Sequence, residues 1–237
     1  MILRLLAILL LTSFPSLAAA QGLDGLAEAA GGLSQNAILI VLTLTALSLA
    51  PGIAIMVTCF PFIVTVLSIL RQSLGLQQSP PNMLIISLAM FLTWFIMDPV
   101  LREAWLVAGA PLQDGQIDIA KAFQRGIEPF RGFMLARVDP DTVLSLSEIA
   151  PNPDADPDRL AVLVPAFMLS EIQRAFEIGF LVALPFLIID LVVAAVLMSM
   201  GMMMVPPAVV ALPFKLAFFV VVDGWTLLAS ALVRSYQ

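Results

Sequence analysis

The stretch Ser170–Trp225 reads SEIQRAFEIGFLVALPFLIIDLVVAAVLMSMGMMMVPPAVVALPFKLAFFVVVDGW, and its pattern decides the fold. Two apolar runs lie on either side of the segment GMMMVPP, Gly201–Pro207. Each run contains a window of about 20 residues, the length that an α-helix needs to cross a bilayer. Backbone groups in lipid need partners within the segment, so both runs are predicted to be helices. Glycine and proline interrupt helices, and the stretch is therefore predicted to be a helical hairpin.

The composition of the 237-residue chain is that of a membrane protein. Hydrophobic residues make up 61% of the sequence and charged residues only 12%, whereas a soluble domain carries about 25% charged residues. The net charge of −6 offers no basic surface for nucleic acid. The sequence has no histidine and one cysteine, Cys59, which excludes the usual zinc sites, histidine general bases and Ser-His-Asp triads. We therefore expect no catalytic, metal-binding or cofactor-binding residues and no enzymatic activity.

The first 20 residues, MILRLLAILLLTSFPSLAAA, have the pattern of a secretory signal peptide that is removed after Ala20. An uncleaved membrane helix is the alternative, but the apolar run is too short to span. With the mature N-terminus outside the cytoplasm, the polar part of the chain is periplasmic. The predicted segments are the signal peptide, 1–20; a short N-terminal periplasmic segment, 21–36; a first helical hairpin, 37–101; a polar periplasmic region, 102–160; and a second helical hairpin with the methionine-rich loop, 161–237.

Prolines are expected to break two of these segments. The apolar stretch from 37 to 70 contains APG at 50–52 and Pro61, which interrupt it. The polar region holds ten acidic and six basic residues between Arg102 and Leu160. Within it, KAFQRGIEPFRGFMLARV carries apolar residues at helical spacing. Pro129 lies in the middle of this segment, which predicts two short helices rather than one.

The two hairpins resemble each other in sequence. The first contains LGLQQSPPNM and ends near Asp98, and the second contains MGMMMVPPAV and ends near Asp223. Both consist of an apolar helix, a glycine-containing break, Pro-Pro and another apolar helix, in the same orientation. A parallel duplication and a coincidence both explain this pattern.

Two charged residues lie inside the apolar runs, Asp190 and Lys215. A carboxylate at the centre of a membrane helix costs about 2.5–3.5 kcal/mol, so Asp190 is expected to face protein or water. It is either a proton or ion site or a structural hydrogen-bonding group. We favour the structural role, because no second carboxylate or histidine offers an obvious relay. Lys215 also needs a partner, and the candidates are Glu171, Glu177 and Asp190.

Three motifs are similar to those of the FliP family: PPNMLIISLAMFLTWFIMDPV, EPFRGFM and the long stretch quoted above. Family members are export-gate subunits of the flagellar type III secretion system, with a counterpart in injectisomes. The resemblance covers about residues 40–235. It implies a helical ring of five copies that assembles with two smaller membrane proteins of the gate. It also implies that unfolded flagellar subunits pass through the centre, and that much of the helical mass lies on the periplasmic side of the membrane.

The resemblance also implies roles for particular residues. Glu171 would pair with Lys215 of a neighbouring subunit, and a gasket around the pore would consist of Met202, Met203 and Met204. The turn itself is expected to depend on Gly201 for its tightness and on Pro206 and Pro207 for the exit of the chain.

The sequence therefore predicts a homo-oligomeric, pore-forming export subunit in the bacterial inner membrane, within the flagellar basal body. A secondary transporter or ion channel that uses Asp190 is the alternative. A membrane scaffold without a pore is a third interpretation.

Overall fold

The computed structural model describes residues 51–76, 79–151, 159–202 and 204–236, together with single helical positions between 37 and 49. All regular structure in these residues is helical, which confirms the predicted all-α class. The chain divides into a unit that ends at Pro51 and a second unit, Gly52–Gln237. The predicted signal peptide, 1–20, and the N-terminal segment, 21–36, lie outside the described residues.

The second unit consists of helices joined by short connections. Their bounds are α1, Phe60–Ser73; α2, Asn82–Ala104; α3, Ala110–Gln113; α4, Ile119–Leu135; α5, Pro140–Glu148; α6, Leu160–Ser199; α7, Pro207–Val221; and α8, Gly224–Arg234. A π-helical turn, Trp105–Gly109, joins α2 to α3 without a break. Asn82–Gln113 is therefore one helical segment of 32 residues.

The two predicted hairpins contain four apolar helices, but fewer than four of the described helices are long enough to cross a membrane. Among the described residues, Asn82–Gln113 and α6 are long and apolar enough, and α7 with α8 counts as a third if the pair, bent by 62°, is one span. The apolar helix α1 has only 14 residues. The first stretch is interrupted at residues 57–59, after a helical segment at 51–56. Pro61 lies in the first turn of α1, where proline is favoured, so it begins a helix instead of breaking one.

The helix α6 is much longer than a bilayer is thick. Its 40 residues span about 60 Å, whereas the hydrocarbon core of a bilayer is about 30 Å thick. Part of α6 must therefore lie outside the hydrocarbon. The first half of the helix carries Glu171, Arg174 and Glu177, so this half is the one that we expect outside the hydrocarbon.

Pro129 does not divide the amphipathic segment of the polar region, so the prediction of two short helices was wrong. The helix α4 continues across Pro129 for 17 residues. A proline removes one backbone hydrogen bond, but α4 packs against α2, the π-helical turn and α6. Its first turn is also capped, because the Asp118 carboxylate accepts a hydrogen bond from the Lys121 backbone N–H at 3.1 Å.

The core of the second unit forms around α1, which packs against α6 and α2. Phe62, Ile63 and Val66 of α1 are completely buried. Close approach of α1 to α6 depends on Gly179, since a Cβ atom there would lie 2.4 Å from Cδ1 of Ile69. The short helix α1 is thus a structural centre, on which the two long apolar helices pack.

The loops of the two hairpins share one backbone feature, a glycine with a positive φ angle. Gly75 and Gly201 both adopt positive φ angles, 79° and 78°. In each loop the next helix begins within or directly after the proline pair. The two aspartates differ, because Asp98 lies inside α2 and Asp223 lies at the break between α7 and α8. The duplication stays a prediction, now supported by the glycine geometry.

Candidate functional site

The methionine-rich loop begins with a tight helix end. The N–H of Gly201 donates to the carbonyl of Met198 at 3.0 Å, and the N–H of Met202 donates to the carbonyl of Leu197 at 3.0 Å. This pair of bonds is a Schellman motif, which requires a left-handed residue at the position of Gly201. A glycine adopts that conformation without steric cost.

The loop then presents methionine side chains at the turn of the hairpin. Met202 is 38% exposed and Met204 is 98% exposed. Met203, the third of the predicted gasket residues, lies outside the described residues. Pro206 is the N-cap of α7, and Pro207 is its first residue. The prolines therefore direct the chain into α7 directly after the exposed methionines.

An apolar groove lies between α6 and α7, next to this loop. Its volume is about 560 Å³. The residues that line it are all apolar: Ile188, Ile189, Val192, Val193, Val196, Leu197, Met200, Met202, Val210 and Phe214. The loop and the groove form one continuous apolar surface at this end of the hairpin.

Lys215 of α7 is held by a polar cluster inside the chain. Its Nζ atom lies 2.6 Å from Oδ2 of Asp190 in α6 and donates a hydrogen bond at 2.9 Å to the carbonyl of Ser73 at the end of α1. The Lys215 side chain is only 6% exposed. The ammonium thus joins both helices of the second hairpin to the first hairpin.

A second polar cluster surrounds Glu171, whose side chain is completely buried. Nε of Arg137 donates to Oε1 of Glu171 at 3.0 Å, and Nη1 of Arg174 lies 3.5 Å from the same oxygen. The other oxygen, Oε2, accepts a hydrogen bond from the hydroxyl of Tyr236. One buried carboxylate thus has three donors, which come from the link after α4, from α6 and from the residues after α8.

The environment of Tyr236 changes its acidity. Burial raises the pKa of the Tyr236 phenol well above its ordinary value, and the negative charge of Glu171 raises it further. Both effects disfavour a second negative charge beside the carboxylate. The phenol therefore stays protonated and remains a hydrogen-bond donor.

The structure brings together some of the residues singled out in the sequence and separates others. It pairs Lys215 with Asp190, one of the three predicted candidates. It does not bring Lys215 to Glu171 within the chain, since Glu171 is bound by Arg137, Arg174 and Tyr236. The pairing of Glu171 with Lys215 concerns two neighbouring copies and stays a prediction. It would require both residues to exchange their present partners.

The sequence analysis missed Arg137 and Tyr236. Arg137 is the last charged residue of the amphipathic segment, and Tyr236 is the single tyrosine of the chain. A lone tyrosine two residues after the end of the last helix is a weak signal. Only the tertiary contact, across 65 positions between Tyr236 and Glu171, makes it meaningful.

The fold and the two clusters define an all-helical membrane protein of two hairpins with a methionine-rich loop. A sequence profile described as the FliP family matches residues 43–232. The flagellar biosynthetic protein FliP of Caulobacter vibrioides is 48% identical over 240 residues, which cover 100% of this chain and 90% of that protein. The chain therefore belongs to the FliP family, which confirms the resemblance.

Other relatives carry the same name. The flagellar biosynthetic protein FliP of Agrobacterium fabrum is 51% identical over 82% of this chain and 81% of that protein. The corresponding protein of Bacillus subtilis is 46% identical over 83% of this chain and 90% of that protein. The similarity therefore extends over most of the length of each relative.

Proposed function

We propose that the chain is a pore-forming subunit of the flagellar type III protein export gate. It acts without catalysis, in the bacterial inner membrane at the flagellar basal body, after removal of its signal peptide. Unfolded flagellar subunits pass through the centre of a ring of copies. The name shared by the relatives, flagellar biosynthetic protein FliP, supports the flagellar part of this proposal. The five-copy ring and the two smaller gate proteins rest on the family resemblance.

The observation that carries the proposal is the apolar surface that the single chain leaves uncovered. Only 17% of the most apolar window of α6 is buried inside the chain. A contiguous apolar surface of this kind needs lipid or another protein to cover it. A ring of copies within a membrane supplies both, with subunit contacts on some faces and lipid on others.

The methionine-rich loop suits a pore that must both pass a polypeptide and close. Methionine is unbranched, has three rotatable bonds and packs against irregular partners. Its side chain is also apolar enough to exclude water from a narrow constriction. Met204 is 98% exposed in the single chain and is free to meet its copies at the axis of a ring.

The experiment that tests the proposal replaces Met202, Met203 and Met204 with alanine in cells that lack the wild-type protein. We expect the membrane to become leaky to small solutes while flagellar export continues at a reduced level. Met198→Ala is a matched control, because this exposed methionine lies on α6 and not in the loop. Unchanged permeability in a triple variant that still assembles would leave the methionines as ordinary packing residues.

The copy number is tested separately by purifying the complex and counting subunits by native mass spectrometry. A ring of identical copies supports the export pore. A monomer that still restores motility contradicts it and favours a scaffold without a pore.

The alternative function, a secondary transporter or ion channel that uses Asp190, is less well supported. Lys215 lies 2.6 Å from Asp190, which gives the carboxylate a structural partner. Asp190→Asn keeps a hydrogen-bond acceptor for Lys215, so we expect motility to be largely retained. Loss of motility in a variant that assembles normally would instead favour a titrating carboxylate.

A further inference from the structure

The residues that follow α8 carry a contact that links three separate parts of the fold. The ring of Tyr236 stacks on Phe133 of α4, with centroids 6.0 Å apart and planes at 13°. It also meets Phe62 of α1 edge-on, with centroids 5.4 Å apart. Its hydroxyl reaches Glu171 of α6. Tyr236 thus contacts the first hairpin, the polar region and the second hairpin at once.

Tyr236 also contacts both members of one buried ion pair. The Arg137 guanidinium lies over the tyrosine ring, 3.8 Å from its centroid, in a cation–π arrangement. The same guanidinium donates from Nε to Glu171 at 3.0 Å and from Nη1 to the carbonyl of Ser235 at 2.6 Å. The ring therefore sets the plane of the arginine, while the hydroxyl sets the direction of the carboxylate.

We propose that Tyr236 is a positioning residue, which holds Glu171 and Arg137 in the geometry that joins the polar region to the second hairpin. Without the hydroxyl, one oxygen of a fully buried carboxylate loses its donor. A hydrogen bond to a charged group changes an equilibrium by roughly tenfold or more. Any effect of this contact on export rests on the proposed function, whereas the contact itself lies within one chain.

The first test is spectroscopic and uses the single tyrosine of the chain. The purified protein, with a tag free of tyrosine, is titrated to high pH in detergent micelles. Tyrosinate absorbance and far-ultraviolet circular dichroism are recorded together. An ordinary phenol ionises at a pKa of about 10. We expect tyrosinate to form only as the helical signal is lost, because burial and Glu171 both hold the phenol protonated.

Glu171→Gln makes the titration specific for the proposed contact, since it removes the charge and keeps the side-chain shape. We expect Tyr236 to ionise at a lower pH in this variant than in the wild type, because the negative charge of Glu171 no longer opposes the tyrosinate. Tyrosinate that forms near its ordinary pKa in helical wild-type protein would overturn the proposal. The same ionisation midpoint in both proteins, recorded while both keep their helical signal, would also overturn it.

The second test measures export in cells. Tyr236→Phe keeps the ring and removes the hydroxyl, and we expect roughly a tenfold loss of exported flagellar protein at an equal amount in the membrane. Ser145→Ala removes an exposed hydroxyl that bonds only within α5 and should behave as the wild type. Normal export by Tyr236→Phe would overturn the positioning role. If a strain that lacks the protein exports normally, the proposed function is wrong. The titration still tests the contact between Tyr236 and Glu171 in that case.

Discussion

The ion pair between Lys215 and Asp190 gives a prediction whose size follows from the contacts. Asp190→Ala removes the carboxylate that lies 2.6 Å from the Lys215 ammonium. The lysine side chain is 6% exposed and keeps only the carbonyl of Ser73, at 2.9 Å. Breaking a buried pair from one side costs about 3–5 kcal/mol. Because the Asp190 side chain is 37% exposed in the chain, the pair is only partly buried, and we expect a cost at the lower end of this range, about 3 kcal/mol.

Removing the lysine should cost less stability than removing the aspartate. Lys215→Met preserves most of the apolar stem and leaves Asp190, whose side chain is much less buried than that of the lysine, so we expect a loss of about 1–2 kcal/mol. The double variant Asp190→Ala with Lys215→Met removes both charges. Replacing a buried pair with apolar residues is often neutral, so the double variant should recover about 2 kcal/mol relative to Asp190→Ala alone.

The assay is unfolding of the purified protein in mixed micelles, followed by circular dichroism, for the wild type and the three variants. Asp98→Ala is the matched control, because Asp98 forms an exposed ion pair with Arg102 at 2.8 Å. Exposed pairs of this kind contribute about 0–1 kcal/mol. If the costs of the two single variants simply add in the double variant, the ion pair does not stabilise the fold and the reasoning is refuted.

Three further predictions concern other contacts. Gly179→Ala should destabilise the fold by about 1–3 kcal/mol because the new methyl group meets Ile69, and adding Ile69→Val should restore part of the loss; no change in unfolding would contradict the close packing. Residue 223 has a φ angle of 50°, in the left-handed region that glycine tolerates. Asp223→Gly should therefore keep full stability, whereas Asp223→Val should lose about 1–2 kcal/mol. Equal unfolding of both variants would argue against a left-handed backbone at this position. Glu171→Ala and Lys215→Ala should each impair ring assembly, measured by crosslinking, and Glu171→Lys with Lys215→Glu should restore part of it; normal assembly of both alanine variants would disprove the pairing between subunits.

Several features of the fold could be predicted from the sequence alone, because they depend on interactions between residues that are close together in the chain. Long apolar runs must be helical in lipid, and a glycine followed by two prolines ends one helix and starts the next. The turn at Gly201 could therefore be located before its φ angle of 78° was known. The charges within the second hairpin likewise suggested three candidate partners for Lys215, and the structure pairs it with one of them, Asp190.

Tertiary structure decided the features that depend on packing between distant segments. Pro129 has the local character of a helix breaker, yet α4 continues through it and packs against α2, the π-helical turn and α6. Two of the three donors to Glu171 are Arg137 and Tyr236, which lie 34 and 65 positions away in the chain. Periodicity reports which face of a helix is apolar, but it contains no information on the angle and depth at which two helices pack. Those two quantities determine which buried charges meet, and only the folded chain specifies them.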